Sequence, residues 1–212
     1  MNKEELLELL KKKEFREEIK EIISAFSKVK REDFAPKQLR DYVYEDIPLP
    51  LESGAAISQP STIAFILTLL NLQKCQKILE IGSGSGYMLS LISNIIKEGE
   101  IYGIEIKDSL AIKAKKLLLQ DKKIHILIKD GLSGLKSKAP FDRILISAAA
   151  QTEETIIPLI SQLKDTGILV APIKDSLIQF IKSSGLVEKH EFPGFAFVPL
   201  VGNHREEPHS NL

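Results

Sequence analysis

The sequence predicts an α/β fold: a Rossmann-like doubly wound sheet, mostly parallel with an antiparallel C-terminal part, plus an N-terminal helical and extended appendage. Three observations carry that prediction. Strand-like and helix-like runs alternate between residues 77 and 173 at a pace that fits parallel crossover units. The first strand of the series runs into a glycine-rich turn, Gly82-Ser83-Gly84-Ser85-Gly86. Beyond Pro172 the connections shrink to Ser183-Ser184-Gly185 and Pro193-Gly194. These are too short for crossover helices, so the strands there must run antiparallel.

In chain order, the first ~30 residues are charged and helix-patterned. Leu6, Leu7 and Leu10, then Ile19, Ile22, Ile23 and Phe26, recur at three- and four-residue spacings, while Lys11-Lys12-Lys13 reads as a solvated face. From Val29 to Ser53 the helical period vanishes, and Pro36, Pro48 and Pro50 punctuate extended chain and turns. Pro60, preceded by Ser58, predicts a helix start, because proline tolerates the first turn and serine accepts orphan amide protons. That helix runs through Ile63, Ile66, Leu67 and Leu70. Lys77–Ile81 reads as a buried strand. There follow a helix over 86–96, a strand over 101–106, a helix over 108–120, strands over 124–128 and 141–147, a helix over 153–163 and a strand over 168–173. Asp142 is expected to have a structural role at its strand's start. Leu177–Lys182, Val187–Phe192 and Phe195–Val201 read as further strands. The expected organisation is an appendage over 1–58, a main domain over 59–203 and a polar tail over 204–212.

Composition removes several function classes. Lys+Arg and Asp+Glu both number 29, so the basic face that nucleic-acid binding requires is not expected. No apolar run approaches the ~20 residues of a membrane span. The charged start Met1-Asn2-Lys3-Glu4-Glu5 does not read as a signal peptide. The lone Cys75 cannot form an internal disulfide, which makes the cytoplasm the expected compartment. No metal site is expected, because His125, His190, His204 and His209 are scattered. Nothing demands a partner protein, and a monomer is expected.

The most informative residues are Glu80-Ile81-Gly82-Ser83-Gly84-Ser85-Gly86-Tyr87. Glycines let a strand-to-helix turn approach a ligand closely, and ligands bind past the carboxyl ends of strands in open α/β sheets. A dinucleotide fingerprint wants a small residue where Tyr87 stands, so that reading fits poorly. The pattern E-x-G-x-G-x-G resembles instead the first motif of S-adenosylmethionine-dependent methyltransferases. Glu105 ends the next strand, 19 residues after Gly86, where a carboxylate can accept hydrogen bonds from both ribose hydroxyls. The third strand ends at Asp130-Gly131, where Asp130 can receive an adenine amino group or simply form an Asp-Gly turn. The candidate cofactor-binding residues are thus Glu80, Gly82, Ser83, Gly84, Gly86, Glu105, Asp130 and Gly131, in a methyltransferase domain over 59–203. Enzymes that methylate base amines usually carry a polar-Pro-Pro-aromatic turn after the fourth strand, whereas this chain has Ser147-Ala148-Ala149-Ala150.

From about Val29 to Gly202 the chain resembles the protein-L-isoaspartate O-methyltransferase family. The resemblance is carried by Val29-Lys30-Arg31-Glu32-Asp33-Phe34-Ala35-Pro36, Tyr44-Glu45-Asp46-Ile47-Pro48-Leu49-Pro50 and Gly54-Ala55-Ala56-Ile57-Ser58-Gln59-Pro60. The glycine turn ending in Tyr87, the stretch Ala139–Ala150 and Phe197-Val198-Pro199-Leu200 complete it. It implies methyl transfer from S-adenosylmethionine to the α-carboxylate of L-isoaspartyl residues in damaged proteins, whose ester then collapses to a succinimide. It also implies that Ser58 is the active-site serine and that Ile57, Ser58, Phe197, Val198 and Pro199 line the bound peptide. The absence of any Ser-His-Asp or paired-carboxylate constellation agrees, because a carboxylate acceptor needs no general base. Four departures stand out. Ala55 and Ala56 replace polar residues that often end in threonine, and Ser61-Thr62 replace an aromatic or His followed by Met. Gln151 replaces a proline, and Ala196 a larger residue. They keep open the alternative of a catalytically impaired or substrate-diverged protein that still binds S-adenosylmethionine.

Overall fold

The computed structural model describes residues 1–13 and 19–202, so the tail expected over 204–212 lies outside the described residues. Helices α1 (Lys3–Lys12) and α2 (Ile19–Lys28) come first. α1 starts in a capping box, in which the Asn2 side chain accepts the Glu5 amide and the Glu5 carboxylate accepts the Asn2 amide. Two 3₁₀ turns, Arg31–Asp33 and Lys37–Tyr42, lead to a small hairpin of β1 (Leu49–Pro50) and β2 (Ala56–Ile57). α3 (Pro60–Leu70), β3 (Gln76–Ile81), α4 (Tyr87–Ile96), β4 (Gly99–Glu105), α5 (Asp108–Leu117) and β5 (Ile124–Ile128) follow. The remaining elements are β6 (Phe141–Ile146), α6 (Ile157–Ile160), β7 (Leu163–Ile173), β8 (Ser176–Ser183) and β9 (Leu186–Pro193).

Among the described residues the large sheet has the order β5-β4-β3-β6-β7-β8-β9. It is parallel from β5 to β7 and antiparallel at β8 and β9, the architecture the sequence predicts. The strand order reverses at β3, since β4 and β5 lie on one side and β6 on the other. A crevice therefore opens at the carboxyl ends of β3, β4 and β6. Ile78, Leu79, Ile144, Leu145 and Ile146 are buried, as expected of parallel strands covered on both faces. At the opposite end, the Asp142 carboxylate accepts the Lys77 amide at 2.7 Å and pairs with Lys164 at 2.8 Å, tying β6 to β3 and β7.

The appendage is built into the same core. Leu6, Leu10, Ile22, Phe26 and Val29 belong to one buried cluster with Ile63, Leu67, Leu89 and Ile92. The rings of Phe26 and Phe34 meet Tyr87, at the start of α4, with centroids 6.3 and 5.3 Å apart. Aromatic contacts of this kind contribute beyond the area they bury. They fix the N-terminal segment beside the glycine turn.

Three local expectations are corrected. The helix read over 153–163 is a 3₁₀ turn, Glu153–Ile156, followed by only four α-helical residues. The Gln162 carbonyl accepts the Phe141 amide at 2.8 Å, and Leu163 pairs with Phe141, so the chain joins the sheet before a longer helix can form. Phe195–Val201 is not a sheet strand. Pro193, Gly194 and Pro199 break ladder geometry, and the segment crosses the carboxyl end of the sheet, touching it at the Ala149–Pro199 bridge. Finally, Ser58 does not cap α3, whose N-cap residue is Gln59 without a side-chain cap. Asp46 of the appendage caps the helix instead. Its Oδ1 accepts the Ser61 amide at 2.8 Å, and its Oδ2 accepts from Gln59 Nε2 at 3.1 Å. Asp46→Ala is expected to cost about 1–2 kcal/mol, the range for loss of a helix cap. A lower urea midpoint at unchanged slope would register it.

Candidate active site

The turn between β3 and α4 reverses the chain in five residues. Gly82 and Gly84 have φ of +78° and +52°, the left-handed region that costs glycine nothing. The Gly82 and Ser83 amides donate to the Ile104 carbonyl at 2.8 and 3.0 Å, which joins the turn to the end of β4. There Glu105, 5% exposed, accepts the Gly84 amide at 2.7 Å through Oε2 and the Lys107 amide at 2.9 Å through Oε1. A carboxylate has about four acceptor positions, so two backbone donors leave it capacity for a ligand.

In front of this carboxylate lies a cavity of about 290 Å³. Gly82, Gly84, Glu105 and Gly131 line it from the ends of three neighbouring strands, and Ser147 and Ala148 from the end of β6. Ser53–Ala56 and Val198–Val201 close it from outside. A smaller hollow of about 40 Å³ adjoins it, lined by Ile57, Ser58, Glu80, Ser83, Tyr87 and Met88. The two share Ala56, Gly82, Gly84 and Ser147, so they adjoin at the switch point of the sheet.

Two buried polar groups of the smaller hollow are incompletely satisfied, Glu80 Oε2 and Ser83 Oγ. Glu80 is 1% exposed, and its Oε1 accepts the Ser147 hydroxyl at 2.6 Å. Burial pushes its pKa up to about 8; the Ser147 hydrogen bond opposes the rise, and the neighbouring Glu105 adds to it. The turn bearing Ser58 is held from behind by Arg31, which is fully buried. Its guanidinium donates to the carbonyls of Val43 (2.9 Å), Glu45 (3.2 Å), Ile47 (3.0 Å) and Ser58 (3.2 Å).

The sequence-predicted residues are distributed unevenly over this space. Glu80, Gly82, Ser83, Gly84, Glu105, Gly131, Ile57, Ser58, Val198 and Pro199 all line one cavity or both. Gly86 starts α4 with φ +83° and faces α5; a Cβ there would stand 2.7 Å from Leu118 Cδ1. Asp130 Oδ1 accepts the Leu132 amide at 2.9 Å, completing the Asp-Gly turn that presents Gly131 to the cavity. Phe197 packs half-buried on the main core beside the lining residues Val198 and Pro199. Ala55 and Ala56 line the larger cavity. Residue-level reading missed Arg31, Asp46 and Ser147. Of these, only Ser147 carried a local signal, its position at a strand's carboxyl end.

Comparison with known proteins decides the lineage. Residues 1–205 match the family model described as protein-L-isoaspartate(D-aspartate) O-methyltransferase. The chain belongs to that family. A protein-L-isoaspartate O-methyltransferase from Ignicoccus hospitalis is 38% identical over 191 residues, covering 86% of this chain and 89% of the relative. One from Petrotoga mobilis is 40% identical over 191 residues, covering 86% and 88%. A solved protein-L-isoaspartate O-methyltransferase superposes with a TM-score of 0.84 at 27% identity, over 95% of this chain and 67% of its own. The match reaches through the appendage as well as the sheet, so the Arg31, Asp46 and Ser58 segment lies within the family region.

Proposed function

We propose that this chain transfers the methyl group of S-adenosylmethionine to the α-carboxylate of L-isoaspartyl residues in damaged proteins and peptides. The larger cavity takes the adenosyl part of the donor, and the donor's amino-acid end meets the acceptor at the smaller hollow. The observation that carries this reading is the shared wall of the two spaces, Ala56, Gly82, Gly84 and Ser147, with Glu105 lining one and Ser58 the other.

The residues present fit the donor. Glu105 has acceptor capacity for two ribose hydroxyls, and Gly82 and Gly84 leave their cavity side free of side chains. Asp130 and Gly131 flank the adenine end, and Gly86 supports the turn through its packing on α5. Glu80 Oε2 and Ser83 Oγ, which have no hydrogen-bond partner among the described residues, suit the amino-acid portion. When bound, S-adenosylmethionine supplies an electrophilic methyl group on a sulfonium.

What the chain itself contributes is alignment and exclusion of water. An α-carboxyl group ionises near pH ~3.5, so the acceptor is already a nucleophile at neutral pH. Ser58 donates a hydrogen bond that orients it, and the Arg31 fork holds the Ser58 turn in place. Ile57, Phe197, Val198 and Pro199 flank the peptide. Residues 1–58 thereby complete the acceptor site of the donor-binding domain over 59–203. Correct orientation can contribute up to roughly 7–11 kcal/mol of barrier. A single chain builds both cavities, which supports a monomer as the working unit. No helix among the described residues is long and apolar enough to cross a membrane, and a cytoplasmic location suits the lone, unpaired Cys75.

Labelled S-adenosylmethionine offered with matched peptides tests the reading. Base-labile label is expected on the isoaspartyl peptide and not on its aspartyl twin; S-adenosylhomocysteine binding without transfer to either would overturn it. Ser58→Ala is expected to lower turnover by roughly 10–100-fold, the scale of a misaligned acceptor. Its affinity for S-adenosylhomocysteine should stay within twofold, and equal loss of both would refute the role given to Ser58.

A further inference from the structure

We infer that Glu80 is a neutral carboxylic acid in the ligand-free protein and releases its proton when a nucleoside bearing an ammonium group binds. Donor binding is thus an exchange of a cation for a proton. This deepens the donor-site assignment above and rests on it.

The geometry makes the case. Glu80 is the penultimate residue of β3, flanked in register by Gly103 of β4 and Leu145 of β6. Neither neighbour offers a side-chain donor. At 1% exposure the carboxyl group has no solvent, one hydroxyl donor on Oε1 and none on Oε2. An ionised carboxylate so poorly solvated is costly, and the group neutralises instead.

The groups around it offer no relief. Glu105, from β4, contributes negative charge. The Tyr87 phenol on α4 lines the same hollow and is itself kept protonated by burial. β6 contributes the Ser147 hydroxyl, and the turn before α3 the Ser58 hydroxyl. No lysine or arginine is among the residues lining the hollow. Arg31 lies behind the Ser58 turn and directs its donors to four carbonyls. Lys107 and Lys129 border the outer cavity, where Lys129 Nζ reaches the Gly134 carbonyl at 3.3 Å. The countercation must therefore come with the ligand. Its ammonium gives the bare oxygen a donor and a countercharge; the carboxyl O–H bond breaks, and the proton leaves to buffer.

The consequence is selectivity. A nucleoside without the ammonium leaves Glu80 neutral and forgoes the ion pair, so the pocket distinguishes the amino-acid end of its ligand as well as the adenosyl end. Calorimetric titration of the intact chain with S-adenosylhomocysteine, in phosphate and in Tris at pH 7, counts the protons. With a free-state pKa of about 8, release of about 0.9 proton per site is expected. By the same linkage the affinity should rise about ninefold from pH 6 to pH 7, because the site gives up a proton that acid conditions return. 5′-Methylthioadenosine, which keeps the adenosyl and sulfur but has no ammonium, is expected to bind without release. Glu80→Gln should bind S-adenosylhomocysteine with both the release and the pH slope gone.

Binding of S-adenosylhomocysteine with no proton exchange would overturn the inference while leaving the donor site standing. Equal release by Glu80→Gln, or on binding 5′-methylthioadenosine, would overturn it as well. Failure of the unmodified chain to bind S-adenosylhomocysteine would overturn the donor-site assignment itself.

Discussion

Glu105→Ala will weaken S-adenosylhomocysteine binding by about 10³-fold. Two hydrogen bonds from ribose hydroxyls to a carboxylate are each worth ~1.5–3 kcal/mol, and each 1.4 kcal/mol is a tenfold change in affinity. The same substitution removes the acceptor of the Gly84 and Lys107 amides, so the turn also loses the tie that holds it at the cavity wall. Glu105→Gln keeps one carbonyl oxygen and should lose only about tenfold, within the range of a single charged hydrogen bond. Titration of both variants, with circular dichroism to confirm folding, separates a ligand role from a structural one. Equal, small losses in the two would place the ribose elsewhere.

Arg31→Met will cost about 3–5 kcal/mol of stability, a large loss for any single substitution. Four carbonyls, from Val43, Glu45, Ile47 and Ser58, lose a fully buried donor. Part of that loss is offset, because the guanidinium is itself strained by desolvation. Burial pulls its pKa down, against the attraction of the Asp46 carboxylate. For a chain of this length the net loss corresponds to a fall in midpoint of about 10 °C. Arg31→Lys retains the charge but not the planar fork, and should recover less than half of the loss. Thermal denaturation of the two variants, with and without S-adenosylhomocysteine, measures this. A midpoint within 2–3 °C of the parent, a shift of about 1 kcal/mol, would show that the carbonyls find other donors.

The sequence reveals the donor side of this site because its features are local. A buried strand, Lys77–Ile81, running into alternating glycines announces the turn. A carboxylate at the end of the next strand lies where the sheet must place it. The acceptor side is legible only through family resemblance. Arg31 reaches Ser58 across 27 residues, and Asp46 reaches Ser61 across 15, distances over which side-chain periodicity says nothing. Ser58 itself illustrates the ambiguity: a serine two residues before a helical proline reads as a cap, yet Asp46 does the capping and leaves Ser58 facing the hollow. The stretch over 153–163 misleads for a tertiary reason. Ile156, Ile157, Leu159 and Ile160 have helical spacing, but the pairing of Leu163 with Phe141 draws the chain into β7 before the helix can extend. Phe195–Val201 has strand composition but pairs only at Ala149, through the bridge to Pro199. Its apolar residues serve instead to close the cavity.

The most direct test of the central claim is a crystal structure of this chain with S-adenosylhomocysteine. The ribose should lie against Glu105 and the amino-acid end beside Glu80, with the sulfur turned toward the hollow that Ser58 lines. A ligand bound with its sugar away from Glu105, or seated outside the crevice between β3, β4 and β6, would contradict the account.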